Sequence, residues 1–196
     1  MSGAAPDRRA VAVVPAAGES RRFGAWKLLA DVGGVPLIER TIGSLLRAGV
    51  DRVVVVIRAG DAFDGAPSFR DPRVTTVVNP DPARGMFSSI QQGLAVANGA
   101  DVVLVLPADM PFVAAHTVRA VLARASATAA QVVPMHDGRR GHPIAIPGSL
   151  CRQLVALAPT TTLKDALAAI GESRVLLDVS DPGILRDVDV PADLSR

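Results

Sequence analysis

Four short runs of mostly branched aliphatic residues set the tightest limit on what this chain can become. They are AVAVV at 10–14, RVVVVI at 52–57, VTTVV at 74–78 and VVLVL at 102–106. They lack the apolar–polar alternation of a strand with one wet face, so they read as strands covered on both faces, as in a parallel sheet between helices. The segments between them change period. Pro36 at the first helical position, then Leu37, Ile38, Ile42, Leu45 and Leu46, with Gly49 as stop, describe a helix. Phe87, Ile90, Leu94 and Ala97 form a second apolar stripe, and Val118, Val121, Leu122 and Ala125 a third. Strand–helix–strand repetition with short links implies a three-layer α/β/α domain around a mostly parallel, doubly wound sheet. A chain of 196 residues, 49% hydrophobic, has the size and apolar content for one such domain.

After about residue 128 the pattern loosens. A strand at 131–135 leads into the polar loop HDGRRGHP and a further strand at 143–147. Helices are expected at 149–157 and 162–170, the second with Thr162 as N-cap, Asp165 three residues on and Gly171 as terminator. A last strand falls near 174–178. This organisation reads as a single domain, residues 1–196. Residues 1–127 form its sheet-building part, and 128–196 a smaller part that covers the open edge of the sheet.

In doubly wound sheets ligands sit beyond the carboxyl ends of the strands, so each strand end carries weight. The first strand empties into PAAGESRRFGAWK, where small residues 16–18 let backbone amides approach an anion and Arg22 and Lys27 supply charge. This stretch lacks the GKS/T ending of a Walker loop and the glycine spacing of a dinucleotide fingerprint. It reads as a phosphate-binding loop, or as an ordinary surface loop with solvated cations. The fourth strand ends in PADMP, where Asp109 is either a magnesium ligand facing a polyphosphate or the cap of the next helix. Near the end of the chain, Asp187 and Asp189 would share one face of a strand, an arrangement that calls for a cation between them; the plainer reading is a solvated strand end with Asp193 capping the last turn. Asn79, Arg84, Gly85, Ser88, Ser89 and Gln92 open a helix after the third strand, suited to an anion, a base edge or plain capping. Arg139, Arg140 and His142 share a loop that could take a second, anionic substrate.

The remaining composition narrows the class. Aromatics are only 3%, so stacking platforms for single-stranded nucleic acid are scarce, and a net charge of +2 with scattered cations offers no nucleic-acid tail or membrane patch. The single Cys151 forms no intrachain disulfide and sits in a leucine-patterned stretch, as a buried thiol would. The first nine residues have no apolar core of a signal peptide, and the next apolar run stops at Pro15. These features imply a soluble, cytoplasmic protein.

Taken in chain order, the motifs resemble those of the MobA-like nucleotidyltransferases, and more narrowly the molybdenum cofactor cytidylyltransferases. The family opening L-A-A-G-x-S-x-R-M-G-x-x-K-L-L is matched by Ala16, Ala17, Gly18, Ser20, Arg22, Gly24 and Lys27 within PAAGESRRFGAWKLL. G-G-x-P-L is matched by Gly33, Gly34, Pro36 and Leu37; N-P-x-x-x-x-G-M-x-x-S by Asn79, Pro80, Gly85, Met86 and Ser89; D-M-P by Asp109 to Pro111. G-H-P falls on Gly141, His142 and Pro143, and D-x-D-x-P-x-D-L on Asp187, Asp189, Pro191, Asp193 and Leu194. Pro15 and Phe23 depart from the usual Leu and Met, and Trp26 before Lys27 is also unusual.

The resemblance implies a Rossmann-like nucleotidyltransferase fold and transfer of a nucleotidyl group from a nucleoside triphosphate to a phosphorylated acceptor, releasing pyrophosphate. It places Ala16, Ala17, Gly18, Ser20, Arg22 and Lys27 on the triphosphate, Asn79, Gly85 and Ser89 on the nucleotide, and Mg²⁺ on Asp109 with Asp187 or Asp189. Lys27, Arg22 and Asp109 carry the chemistry, and the loop around His142 takes the acceptor. In the family an AAG loop accompanies cytidine, so Ala17 points to CTP, with a molybdopterin as acceptor and a molybdenum hydroxylase apoenzyme as downstream partner. The same scaffold also resembles guanylyltransferases, the nicotine blue oxidoreductase type, which would use NAD(P)H and need no metal, and a non-catalytic cofactor chaperone. Retention of Lys27, Asp109 and Asp187 together speaks against a purely binding role.

Overall fold

The computed structural model describes residues 8–18, 27–61, 63, 66–171 and 173–195. Eight strands form one sheet. They are β1 (Ala10–Pro15), β2 (Arg52–Arg58), β3 (Val74–Asn79), β4 (Val102–Val105), β5 (Gln131–His136), β6 (Arg139–Arg140), β7 (Ile144–Pro147) and β8 (Arg174–Asp178). The order is β3-β2-β1-β4-β7-β5-β6, with β8 also paired to β5. Strands β3, β2, β1 and β4 run parallel, β7 lies antiparallel between β4 and β5, and β8 is parallel to β5. The three-layer, mostly parallel architecture expected from the strand runs is present.

Burial follows the pleat. In β1 Ala12 and Val14 face one side of the sheet while Val11 and Val13 face the other; Val53 and Val55 of β2 oppose Val54 and Val56 in the same way. The first face packs under α1 (Leu37–Arg47) and α3 (Ala115–Thr128), and the second under α2 (Met86–Val96), α4 (Cys151–Val155) and α5 (Leu163–Ile170). The last helix starts as its sequence dictates, with Thr162 Oγ1 accepting from the Asp165 N–H at 3.1 Å and Gly171 closing it at φ +74°. Cys151 is buried and free, and burial pushes its thiol pKa up.

Four expectations need adjusting. Strand β3 is the edge of the sheet and is exposed along much of its length, because no further strand pairs beyond it. Pro36 stands one residue before α1 as its N-cap, not inside it. The loop HDGRRGHP is a hairpin in which Arg139 and Arg140 pair with His136 and Met135, its tight turn made by Asp137 at φ +47° and Gly138 at φ +72°. Asp187 to Asp189 belong to no strand; Val188 donates its N–H to the Asp109 carbonyl at 2.9 Å instead of pairing with a ladder. The residues after 128 extend the sheet in its own plane, since β7 pairs directly with β4. Among the described residues no helix is long and apolar enough to cross a membrane.

Helix α2 crosses β1 at a glycine. A Cβ on Gly93 would lie 2.3 Å from Val13 Cγ1, so the small residue sets the distance between helix and sheet. Alanine is the better helix former by about 1 kcal/mol, but overpacking a full core costs about 1–3 kcal/mol. Gly93→Ala is therefore expected to lower stability in chemical denaturation; an unchanged or raised midpoint would show that α2 can shift freely.

Candidate active site

A cleft of about 610 Å³ opens at the carboxyl edge of the parallel strands. Its floor is the turn after β1, Pro15 to Gly18, which crosses to the turn after β4, Pro107 to Asp109. Pro82, Ala83, Gly85, Met86 and Ser89, at the start of α2, form one wall, and Lys27 and Asp189 close the other side. Three of the four parallel-strand ends thus contribute. The end of β2 closes on itself instead, the Arg58 N–H donating to the Asp61 carboxylate at 3.0 Å.

Lys27 is the centre of the polar wall. It stands in a 3-10 turn, Lys27–Leu29, anchored by buried Leu28, and its ammonium reaches Asp109 Oδ2 at 3.0 Å and Asp189 Oδ1 at 3.2 Å. One cation therefore bridges a strand end and the C-terminal segment, 82 and 162 residues away in sequence. The side chains of Lys27 and Asp109 are mostly covered, at 11% and 25% exposure, whereas Asp189 is half open at 52%. Burial alone would lower the Lys27 pKa, but the charges and hydrogen bonds of Asp109 and Asp189 outweigh it and hold the ammonium above its ordinary range. Asp109 moves the other way from a simple ion-pair partner. Burial raises its carboxyl pKa, the Lys27 ammonium opposes this, and the charge of Asp187 adds to the rise.

Asp193 accepts from the N–H groups of Asp189 and Val190 at 2.9 and 3.0 Å, so it does cap this segment, leaving the Asp189 carboxylate to face Lys27. His142 is packed close enough to Asp187 to feel its charge, yet burial dominates and drops its pKa to about 4. The imidazole is expected to stay neutral from pH 5 to 8, visible in ring-nitrogen NMR; a titration near 6.5 would contradict the packing. Because the folded-state value is depressed, this group removes stability as pH falls from 6.5 towards 4.

Of the expected site residues, the fold brings Ala16, Ala17, Gly18, Lys27, Gly85, Ser89, Asp109 and Asp189 to the cleft. Ser20 and Arg22, like Phe23, Gly24 and Trp26, lie outside the described residues. The Ala16 amide cannot hold a phosphate, because it donates to the Val56 carbonyl at 2.8 Å and so extends the β1–β2 ladder by one bond. Asn79 does not line the cleft. It is buried, donates to Ser88 Oγ and Ser89 Oγ at 2.9 Å each, and accepts from the Asp81 N–H at 3.0 Å, thereby fixing the loop that carries Gly85. Asp187 lies close enough to both Asp109 and His142 to act on them by its charge, and neither Asp187 nor His142 is among the cleft-lining residues. Met86, 57% exposed at the wall, was matched in the family motif but given no site role; its place between Gly85 and Ser89 in that motif is the signal that pointed to it.

Among the described residues no three carboxylate, histidine or cysteine side chains converge as a metal cage. The donor set fits a looser demand. Lys27 compensates one of the negative charges of Asp109, Asp187 and Asp189, and its ammonium marks a point within reach of both Asp109 and Asp189. Hard cations that take one or two protein carboxylates and complete their shell with phosphate and water suit such a site; Mg²⁺ is the common case.

Comparison with known proteins identifies the family and the fold. Residues 12–175 match the MobA-like NTP transferase domain. The chain is 24% identical over 183 residues to the molybdenum cofactor cytidylyltransferase of Escherichia coli, covering 92% of this chain and 91% of that one. It is 30% identical over 203 residues to a 2-C-methyl-D-erythritol 4-phosphate cytidylyltransferase of Nocardia farcinica, covering 100% and 76%. The match to the corresponding Rhodococcus opacus enzyme, 40% identical over 98 residues, spans only 42% of that protein. Among solved structures, a nucleotidyl transferase from Methanothermobacter thermautotroptrophicus superimposes with a TM-score of 0.76 at 25% identity, covering 96% and 95% of the two chains. Rv0371C of Mycobacterium tuberculosis, solved in complex with manganese, superimposes with 0.67 at 22% identity, covering 96% and 97%.

Proposed function

The chain belongs to the MobA-like NTP transferase family, a nucleotidyltransferase family, and on that premise we propose that it transfers CMP from CTP to a phosphorylated acceptor of the molybdopterin type, releasing pyrophosphate. The observation that carries this reading is the Lys27 ammonium held between Asp109 and Asp189 at the polar wall of the cleft, which also contains the small residues that follow β1. Such chemistry rests on positioning and charge neutralisation, not on a covalent enzyme intermediate. The triphosphate lies against Ala17 and Gly18. Lys27 turns from the carboxylates to the α-phosphate and neutralises the charge that builds there. An oxygen of the acceptor phosphate attacks the α-phosphorus in line; the bond from that phosphorus to the β-phosphate oxygen breaks, and pyrophosphate leaves. Asp109 and Asp189 would hold Mg²⁺, which when bound supplies Lewis acidity to the phosphate oxygens. Asp187 deepens the negative potential behind them.

Cytidine is favoured by Ala17, whose buried Cβ narrows the floor of the cleft where the family's guanosine enzymes have glycine. The acceptor side falls to residues 128–196, which carry His142 and bring the charge of Asp187 near Asp109. A second reading, the same CMP transfer to a small sugar-alcohol phosphate, is supported by the similarity to the Nocardia enzyme, which spans this chain and 76% of that one. A pyrophosphate-release assay with Mg²⁺, each of the four nucleoside triphosphates, and either molybdopterin or 2-C-methyl-D-erythritol 4-phosphate separates the two. Release with CTP and molybdopterin alone is expected. Release with the sugar-alcohol phosphate establishes the second reading, and none with any pair overturns both.

A further inference from the structure

Thr41 lies in the middle of α1, on a buried face with Leu37, Ile38, Ile42, Ser44 and Leu45, and is completely buried. A hydroxyl in such a place costs free energy unless it is paired. Its partner is not chiefly its own helix. Thr41 Oγ1 lies 2.9 Å from the Ala108 carbonyl oxygen and 3.4 Å from that of Leu37, and a hydroxyl has one proton to give, so Ala108 is the main acceptor.

Ala108 immediately precedes Asp109 in a turn with few ties of its own. Pro107 has no N–H, and within the turn the Met110 N–H donates to the Pro107 carbonyl at 3.3 Å. The turn is held from outside. The Ala108 N–H donates to Pro15 at 3.2 Å, the Asp109 carbonyl accepts from Val188 at 2.9 Å, and the Ala108 carbonyl accepts from Thr41. These three ties come from the end of β1, the C-terminal segment and α1, and only the last is a side chain.

We propose that Thr41 is a positioning residue for Asp109, fixing through the Ala108 carbonyl the turn that aims this carboxylate at Lys27. The assignment rests on the nucleotidyl-transfer reading above. Thr41→Val keeps the shape and removes the donor, so the Ala108 carbonyl is left buried and the turn is free to shift. Displacements of about 1 Å cost up to about 10²-fold in rate.

The test is steady-state pyrophosphate release with CTP and the acceptor found active, on wild type, Thr41→Val and Thr41→Ser, with Mn²⁺ affinity in the presence of CTP followed by electron paramagnetic resonance. Thr41→Val is expected to lower kcat about tenfold or more with KM for CTP within about twofold, and to weaken Mn²⁺ binding; Thr41→Ser, which keeps the donor, recovers both to within about threefold. If Thr41→Val does not fold, Thr41→Ala takes its place against Thr41→Ser. A purely structural hydroxyl would lower the melting temperature and leave kcat and Mn²⁺ affinity unchanged, and that result, or a serine variant as impaired as valine, overturns the assignment. An active wild type with an equally active valine variant removes Thr41 and leaves the transfer reading standing. A wild type inactive with every pair removes both.

Discussion

Asp109→Asn is expected to lower kcat by about 10³-fold or more, roughly 4 kcal/mol of transition-state stabilisation, without loss of the fold. The substitution keeps the size of the side chain and removes the charge that faces both Lys27 and the proposed cation site. Its effect on stability should be small or favourable, because the native environment works against this charge. Asp109 is covered, and its carboxyl pKa is raised by burial and by Asp187 in spite of Lys27. A carboxyl whose folded-state pKa is raised binds protons more tightly when folded, so ionising it costs stability as pH rises from the ordinary value of 3.8 through the raised one. The asparagine variant escapes that cost, and its melting temperature at pH 7 should equal or exceed that of the wild type. The acid limb of the wild-type kcat/KM profile, which reports the free enzyme, follows the same group: kcat/KM falls on acidification at a pH above the usual carboxylate range. Full activity of Asp109→Asn would show that Asp109 only shapes its turn.

Lys27→Met is expected to reduce kcat by about 10²–10³-fold and also to destabilise the protein. Its loss leaves Asp109 covered beside Asp187 with no cation in contact. Breaking a fully buried pair costs about 3–5 kcal/mol; because the second partner, Asp189, is 52% exposed, the cost here should be smaller. The sign of the pH dependence separates this from a packing defect. Without the ammonium the Asp109 pKa rises further, so the variant should lose stability more steeply than wild type as pH rises towards neutrality. Added Mg²⁺ should restore more of the melting temperature to Lys27→Met than it adds to wild type, since an ion that binds only the folded state stabilises it by mass action. A pH-independent loss, or no differential effect of Mg²⁺, would mean that Lys27 acts by packing alone.

Much of this site was legible because the chain states its strands so plainly. Valine runs without alternation fixed the sheet, and the sheet fixed where its carboxyl ends, and so Lys27, Asp109 and the small residues 16–18, had to meet. The capping pair Thr162 and Asp165 was readable because both partners lie within one turn of chain. Contacts between distant segments were not. Nothing local says that the Ala16 amide is taken by Val56, that Asn79 turns inward to two serines, or that Val188 bonds to Asp109 rather than to a strand. The hairpin at Arg139 and Arg140 is only two residues long on its return strand, too short to show a period. Nothing local marks Thr41 either; only the apposition of α1 to the β4 turn gives its hydroxyl a purpose.

Product analysis with CTP carrying ³²P at the α-position most directly tests whether this cleft performs nucleotidyl transfer. With Mg²⁺ and molybdopterin, the label is expected to move to the acceptor as CMP joined through a phosphoanhydride to the acceptor phosphate, in step with unlabelled pyrophosphate, and to stay in CTP when Asp109→Asn replaces the wild type. Label left in CTP by the wild-type protein, or recovered as CDP, would contradict attack at the α-phosphorus and with it the assignment of Lys27 and Asp109.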